Sequence, residues 1–279
     1  MPVPEVVAEP CPECDGRGWV VVADGGAGTA RACSCRERGA ASRLVAAAGI
    51  PARYQHCRLA SFTTTSLSPR ERAQLMSARA AAERYVDEFV QDGGFRQSGL
   101  LFVGPPGAGK THLAVGVLRS LVERYRVHGR FVEFTSLIHQ IQATFDPSSP
   151  ESKRQILDPL ADAEVLVLDE LGAQQPTPWV RDILYLIINT RYTRRLPTLF
   201  TTNYRLEPDQ GPSKGAPKAR TLDRGRDLEP AAAFDEAALL STRLPAMLVS
   251  RLYEMAQPVV LDAVEDFRRE HAVHGAHLR

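Results

Sequence analysis

Residues 100–114 read LLFVGPPGAGKTHLA. Leu100 to Val103 is a short apolar run, as expected of a buried parallel strand. Gly104-x-x-x-x-Gly109-Lys110-Thr111 then matches the phosphate-binding loop at every required position. The loop comprises Gly104, Pro105, Pro106, Gly107, Ala108 and Gly109, and its glycines let backbone N–H groups turn inward at phosphate oxygens. Lys110 is expected to reach the β- and γ-phosphates and the Thr111 hydroxyl to ligate Mg2+. The stretch THLAVGVLRSLVERY follows with Leu113, Val117, Leu118 and Leu121 at helical spacing, which places the phosphates of ATP at a helix N-terminus. The chain has 30 Arg and only 4 Lys, so Lys110 stands apart from a general preference for Arg.

Working outward, strand and helix patterns alternate from residue 99, which predicts a parallel sheet of five strands at 100–103, 131–134, 164–168, 198–202 and 258–261. EVLVLDEL at 164–171 ends its apolar run in Asp169 and Glu170. Asp169 is placed to hold Mg2+, and Glu170 to polarise an attacking water as general base; the alternative is a plain helix cap. LPTLFTTNY ends in Asn203, whose amide can orient the lytic water at the strand tip, whereas an isolated Asn there is an ordinary turn former.

Four of the five cysteines fall at Cys11, Cys14, Cys33 and Cys35. A CxxC followed by a CxC can converge four thiolates on one tetrahedral Zn2+. GWVVVADGGAGTARACSC reads as two short strands around a Gly-rich hairpin that returns the second pair to the first. His56 or Cys57 could substitute as ligand, but Cys57 reads as a small buried residue. The absence of a signal-peptide pattern and of any run of 18 apolar residues gives the expectation of a cytoplasmic protein without membrane contact, in which disulfides are disfavoured. The 279 residues have 44% hydrophobic and 24% charged content and a net charge of +1, so no global field draws the chain onto nucleic acid.

The expected division is a zinc-binding module at 1–38, a helical connector at 39–98, an ATPase core at 99–270 and a tail at 271–279. Within the connector, Ser68, Pro69 and Glu71 form a capping box; Leu75, Ala78, Ala82, Tyr85 and Phe89 line one helix face, and Gly93 is expected to end it. Residues 207–232, rich in Pro, Gly and charge, read as a disordered insertion.

GPPGAGKT, VLVLDE, TTNY and LVSRLYEM, followed by VVLDAVEDFRR, resemble the AAA+ ATPases of the DnaC/DnaI-type helicase loader family, with a core shared by IstB-type transposition ATPases. The resemblance covers residues 50–270. It implies an α/β P-loop core without a C-terminal lid domain. It also implies Asn203 as sensor 1, and Arg251 as an arginine finger reaching the ATP of a neighbouring copy, with Arg243 as competitor. Arg268 and Arg269 are the residues available as a sensor 2. A zinc module resembles the DnaI-like branch, whose N-terminal domain docks on the replicative helicase. FTSLIHQIQATFDPSSPESKRQILDPL resembles a two-helix wedge near single-stranded DNA, with Lys153 and Arg154 as possible phosphate contacts. Two functions follow: an ATP-controlled loader of the replicative helicase on single-stranded DNA, or a transposition regulator on duplex DNA. A zinc-bearing interaction protein with a vestigial ATPase is a third, opposed by the intact loop and acidic pair.

Overall fold

The computed structural model describes residues 11–14, 17, 19–22, 29–62, 68–91, 93–146, 152–173, 177–206 and 239–262. The insertion at 207–232, Arg268, Arg269 and the tail at 271–279 lie outside them.

β1 (Trp19–Val22) and β2 (Thr29–Ala32) pair antiparallel, Trp19 opposite Ala32, as a small hairpin. Cys33 then caps α1 (Ser34–Ala47), which runs without a break through position 38, so the cysteine module and the connector share one helix. A 3-10 turn (Ala52–Tyr54) leads toward α2 (Pro69–Asp87). The capping box at the start of α2 is formed: Glu71 N donates to Ser68 Oγ at 3.3 Å and Ser68 N to Glu71 Oε2 at 2.9 Å. All five residues expected on its inner face are buried.

Gly93 does not end α2. The helix stops at Asp87, and Gly93, at φ +79°, makes the turn between β3 (Val90–Gln91) and β4 (Gly94–Phe95). The physical reason is aromatic packing. Phe89 is fully buried, stacks on Phe95 with centroids 5.2 Å apart and meets Tyr125 at 5.6 Å, which draws the chain out of the helical path.

The remaining elements are β5 (Gly99–Val103), α3 (Lys110–Tyr125), β6 (Gly129–Glu133), α4 (Phe134–Ala143), α5 (Lys153–Asp162), β7 (Val165–Asp169), α6 (Pro178–Thr193), β8 (Thr198–Thr202), α7 (Leu240–Arg243), α8 (Ala246–Met255) and β9 (Ala256–Val260). The five long strands form one parallel sheet in the order β6-β7-β8-β5-β9. Every residue of β5, β7 and β8 is buried, which is why these strands read as continuous apolar runs rather than as alternation. β9 begins two residues before its expected start and contains Pro258, whose missing N–H is tolerated because β9 is an edge strand. One core, including Ala82, Phe89, Leu113 and Val117, packs α1, α2 and α3 on one face of the sheet; another, including Phe134, Ile183, Leu184 and Leu248, packs α4 to α8 on the other. The expected helix pair α4 and α5 is present, with residues 147–151 between them outside the described set.

Arg191, on α6, is fully buried. Its Nη1 donates to Leu160 O at 2.8 Å and Ala163 O at 2.7 Å, Nη2 to Pro197 O at 2.8 Å and Nε to Thr198 Oγ1 at 2.8 Å. It ties the end of α5 to the start of β8 through backbone acceptors.

Candidate nucleotide site and cysteine cluster

The loop from Gly104 to Gly109 joins the C-terminal end of β5 to α3. Gly107 and Gly109 have φ of +79° and +89°, and Gly109 caps α3 in the left-handed region that glycine adopts without strain. A Cβ at Gly109 would also lie 2.6 Å from Phe62 Cε2, so an aromatic from the connector packs directly on the loop. Lys110 Nζ donates to Pro105 O at 2.7 Å, which holds the ammonium within the loop's curl.

β5, β7 and β8 bring their C-terminal ends together here. Thr111 Oγ1 donates to Asp169 Oδ1 at 2.9 Å, and Thr201 Oγ1 donates to the same oxygen at 2.6 Å. Asp169 Oδ2 is buried without a hydrogen-bond partner among the described residues. Burial raises the Asp169 carboxyl above the usual carboxylate range; the two hydroxyls act in the opposite direction, and the charges of Glu170 and Glu133 add to the rise. An orphaned carboxylate oxygen beside a threonine hydroxyl fits a hard divalent cation with oxygen ligands. Glu170 sits at φ +59°, a left-handed conformation that costs a non-glycine residue about 1 kcal/mol or more. Its N–H donates to Thr201 Oγ1 at 3.0 Å, so one threonine orients both acidic residues.

Lys110, Thr111, Glu170, Thr201 and Asn203 line one pocket of about 280 Å³ with Arg53, Tyr54, His56, Cys57 and His112. The pocket thus unites the loop, Glu170 and the strand-tip Asn expected from sequence, with Asp169 buried beside it on Thr111 and Thr201. It also reveals lining residues from the connector that local motifs did not signal. His112 is close to Arg58 O (2.9 Å) and Ser61 Oγ (3.3 Å), which links the start of α3 to that connector, and burial lowers its pKa. Cys57 is buried, as expected, with its thiol pKa raised by burial.

Arg251 is not in this pocket. It lies on α8 with Cζ 5.0 Å from the Tyr185 ring and 5.4 Å from the Tyr192 ring, and its Nη1 is buried without a hydrogen-bond partner among the described residues. Arg243 stacks on Tyr204, next to Asn203, at 4.7 Å. Lys153 and Arg154 are exposed on α5, where Arg154 pairs with Asp158 at 3.2 Å.

The four N-terminal cysteines converge. Their sulfurs lie within 4.8 Å of one another, with Cys11–Cys33 at 3.8 Å and Cys14–Cys35 at 3.4 Å. Tetrahedral zinc with Zn–S bonds of about 2.3 Å separates its sulfurs by about 3.8 Å, so this set fits the ion. The neighbouring thiols, Cys14 first, push the Cys35 pKa up to about 12, a rise that a bound cation would reverse. Among the described residues, no helix is long and apolar enough to cross a membrane.

The family description IstB-like ATP binding protein matches residues 55–210, more than half of the chain. The chain belongs to this family. This IstB-like protein is similar to the replicative helicase loader DnaC of Escherichia coli (strain K12), 32% identical over 134 residues, 47% of this chain and 51% of DnaC. It is also similar to the uncharacterized protein YqaM of Bacillus subtilis (strain 168), 27% identical over 180 residues, 63% of this chain and 55% of YqaM. The matches span about half the length of these relatives. The crystal structure of the DnaC helicase loader superposes with a TM-score of 0.55 at 27% identity, covering 75% of this chain and 99% of that one. That of DnaI, at 22% identity and a TM-score of 0.54, covers 76% and 94% and bears on the fold alone. The fold of the IstB-like chain is the AAA+ P-loop type.

Proposed function

We propose that this protein is an ATPase that loads or regulates a replicative helicase on single-stranded DNA. The similarity to the DnaC loader structure, which this chain covers almost entirely, is the observation that carries the reading. Lys110 and the loop N–H groups bind the phosphates. Thr111 and Asp169 would hold Mg2+, which when bound would supply positive charge against the phosphoryl oxygens. Glu170 takes the proton of the attacking water, and Asn203 orients that water. Thr201 fixes the Asp169 carboxylate and the Glu170 backbone from behind. Cys11, Cys14, Cys33 and Cys35 hold Zn2+ and so build the module that contacts the helicase.

Arg251 acts on the ATP of a neighbouring copy. Its absence from the lining of its own pocket and its Nη1 without a hydrogen-bond partner among the described residues support that role. Self-association then switches hydrolysis on, and ATP serves as a timer of contact with helicase and DNA.

The test is capture of the replicative helicase by the zinc-loaded protein with ATP and single-stranded DNA, and its loss in Cys14→Ser. Mixing Lys110→Ala with Arg251→Ala should restore hydrolysis above either alone, because one junction regains both groups. No recovery despite co-assembly overturns the role in trans, and the same mixture with Arg243→Ala reveals the competing arginine. The IstB-like family match favours a second reading, transposition regulation on duplex DNA. ATP-dependent coating of duplex without helicase capture would select it.

A further inference from the structure

Two arginines packed around α6 are treated in opposite ways. Arg191 is fully buried, and its Nε, Nη1 and Nη2 each find an acceptor in the chain at 2.7–2.8 Å. That is how a buried arginine with a structural task is satisfied. Arg251, on α8, has an Nη1 that is buried yet has no hydrogen-bond partner among the described residues. Its guanidinium lies instead against two aromatic rings, with Cζ 5.0 Å from the centroid of Tyr185 and 5.4 Å from that of Tyr192. Five other described arginines, Arg36, Arg53, Arg96, Arg124 and Arg243, stack on one ring each. Arg251 alone among the described residues stacks on two.

The spacing is built into α6. Tyr185 and Tyr192 are two helical turns apart, so they share one face of the helix at a separation of about 10 Å, and a guanidinium midway between their rings sits about 5 Å from each. Glu254, one turn beyond Arg251 on α8, accepts the Tyr192 hydroxyl at 2.6 Å. That bond steadies the ring. It also commits this carboxylate to a tyrosine rather than to the guanidinium. The positive charge is therefore held by ring faces, which attract a cation without neutralising it.

A buried donor without an acceptor is unfavourable. The acceptor that would complete this arrangement is an anion from outside the chain, and a planar N–H fork suits a phosphate. Tyr185 and Tyr192 are 39% and 37% exposed, so the clamp lies where a second copy can approach it. Neither tyrosine lines the nucleotide pocket of its own chain.

We propose that Tyr185 and Tyr192 are positioning residues for Arg251: they hold its guanidinium in one orientation, with its charge intact, for a phosphate bound by another copy, and Glu254 fixes Tyr192 in that task. The proposal rests on the reading of Arg251 as acting in trans and adds the device that aims it.

The test uses the mixture of Lys110→Ala and Arg251→Ala chains, in which the first supplies the arginine and the second the loop. Tyr185→Leu or Tyr192→Leu added to the Lys110→Ala chain should lower kcat of the mixture about tenfold, the rate equivalent of one cation–π contact. The KM for ATP should not change, because the other chain binds the nucleotide. The same substitution added to the Arg251→Ala chain has no guanidinium to hold, and the rate should stay at that of the parent mixture. Tyr185→Phe keeps the ring and should retain the rate in the arginine-supplying chain. A rate indifferent to the placement, a higher rate on removing a ring, or a loss with phenylalanine as large as with leucine overturns the clamp alone. An inactive parent mixture despite co-assembly overturns the role of Arg251 in trans, and the clamp with it.

Discussion

In the phosphate loop, ligand-binding groups hang from β5 and α3, whose Leu101, Phe102, Leu113 and Val117 are fully buried. In the cysteine module, the sulfurs flank a hairpin whose Trp19, Val21 and Val22 are exposed. Both arrays are compact, but only the first rests on a core. The loop is therefore expected to keep its shape without nucleotide, whereas the module is too small to order itself by burial and, on the proposed reading, would depend on a bound zinc ion. On the proposed reading the difference also divides the molecule chemically: at the cysteines an ion would stabilise the fold, whereas at Asp169 the fold tolerates a buried carboxylate that a cation would relieve.

The largest effect should come from removing zinc. Binding of a structural zinc ion contributes on the order of 10 kcal/mol in modules of this size. Chelation or Cys14→Ser should therefore make residues 11–32 protease-sensitive while the ATPase core melts at an unchanged temperature. Coupled melting of both would break the contrast between the two regions.

Next is Glu170→Gln, which should retain ATP binding and slow hydrolysis by about 10²–10⁴-fold, the usual contribution of a general base. An unchanged turnover rate at saturating ATP removes Glu170 from the role.

Arg191→Met should lower the unfolding free energy of the core by about 3 kcal/mol, because three carbonyls and a threonine hydroxyl lose a buried charged donor. Denaturant melts measure it, and a cost below about 0.5 kcal/mol, that of an ordinary surface substitution, would contradict the tie between α5 and β8.

The smallest effect concerns Asp169. Its carboxyl is raised in the folded state, so its contribution to the stability of the nucleotide-free protein is present at acidic pH and disappears as pH climbs through the raised pKa. Asp169→Asn should flatten that dependence, raise the neutral-pH melting temperature slightly without nucleotide, and abolish the extra stabilisation by Mg2+ with ATP. Thermal melts across pH, with and without Mg2+ and ATP, provide the comparison.

The central strands β5, β7 and β8 were legible because burial on both faces leaves uninterrupted apolar runs, and the loop because its chemistry demands glycine and lysine at fixed spacing. Ser68 and Glu71 announced α2 through local hydrogen bonding. Other features depend on tertiary approach. Thr201 looks like an ordinary strand former until β8 lies beside Asp169. Arg191 looks like a surface helix residue until α5 and β8 surround it with carbonyls. Tyr54 and His56 carry no phosphate-binding pattern, yet the connector folds back to line the pocket. Nothing in VLVLDEL signals that Glu170 takes a left-handed backbone.

The turn after α1 also meets the outer strand of the sheet. Phe131 N donates to Ala48 O at 2.7 Å and Arg130 Nη1 to Ala47 O at 2.8 Å, both from β6, the outermost strand of the sheet among the described residues. A bare strand margin is a template for the backbone of another polypeptide. By occupying an amide of that margin, the end of α1 discourages unwanted β-pairing, so a chain trimmed to begin after residue 50 would uncover a sticky seam and lose solubility before it lost the ability to bind nucleotide.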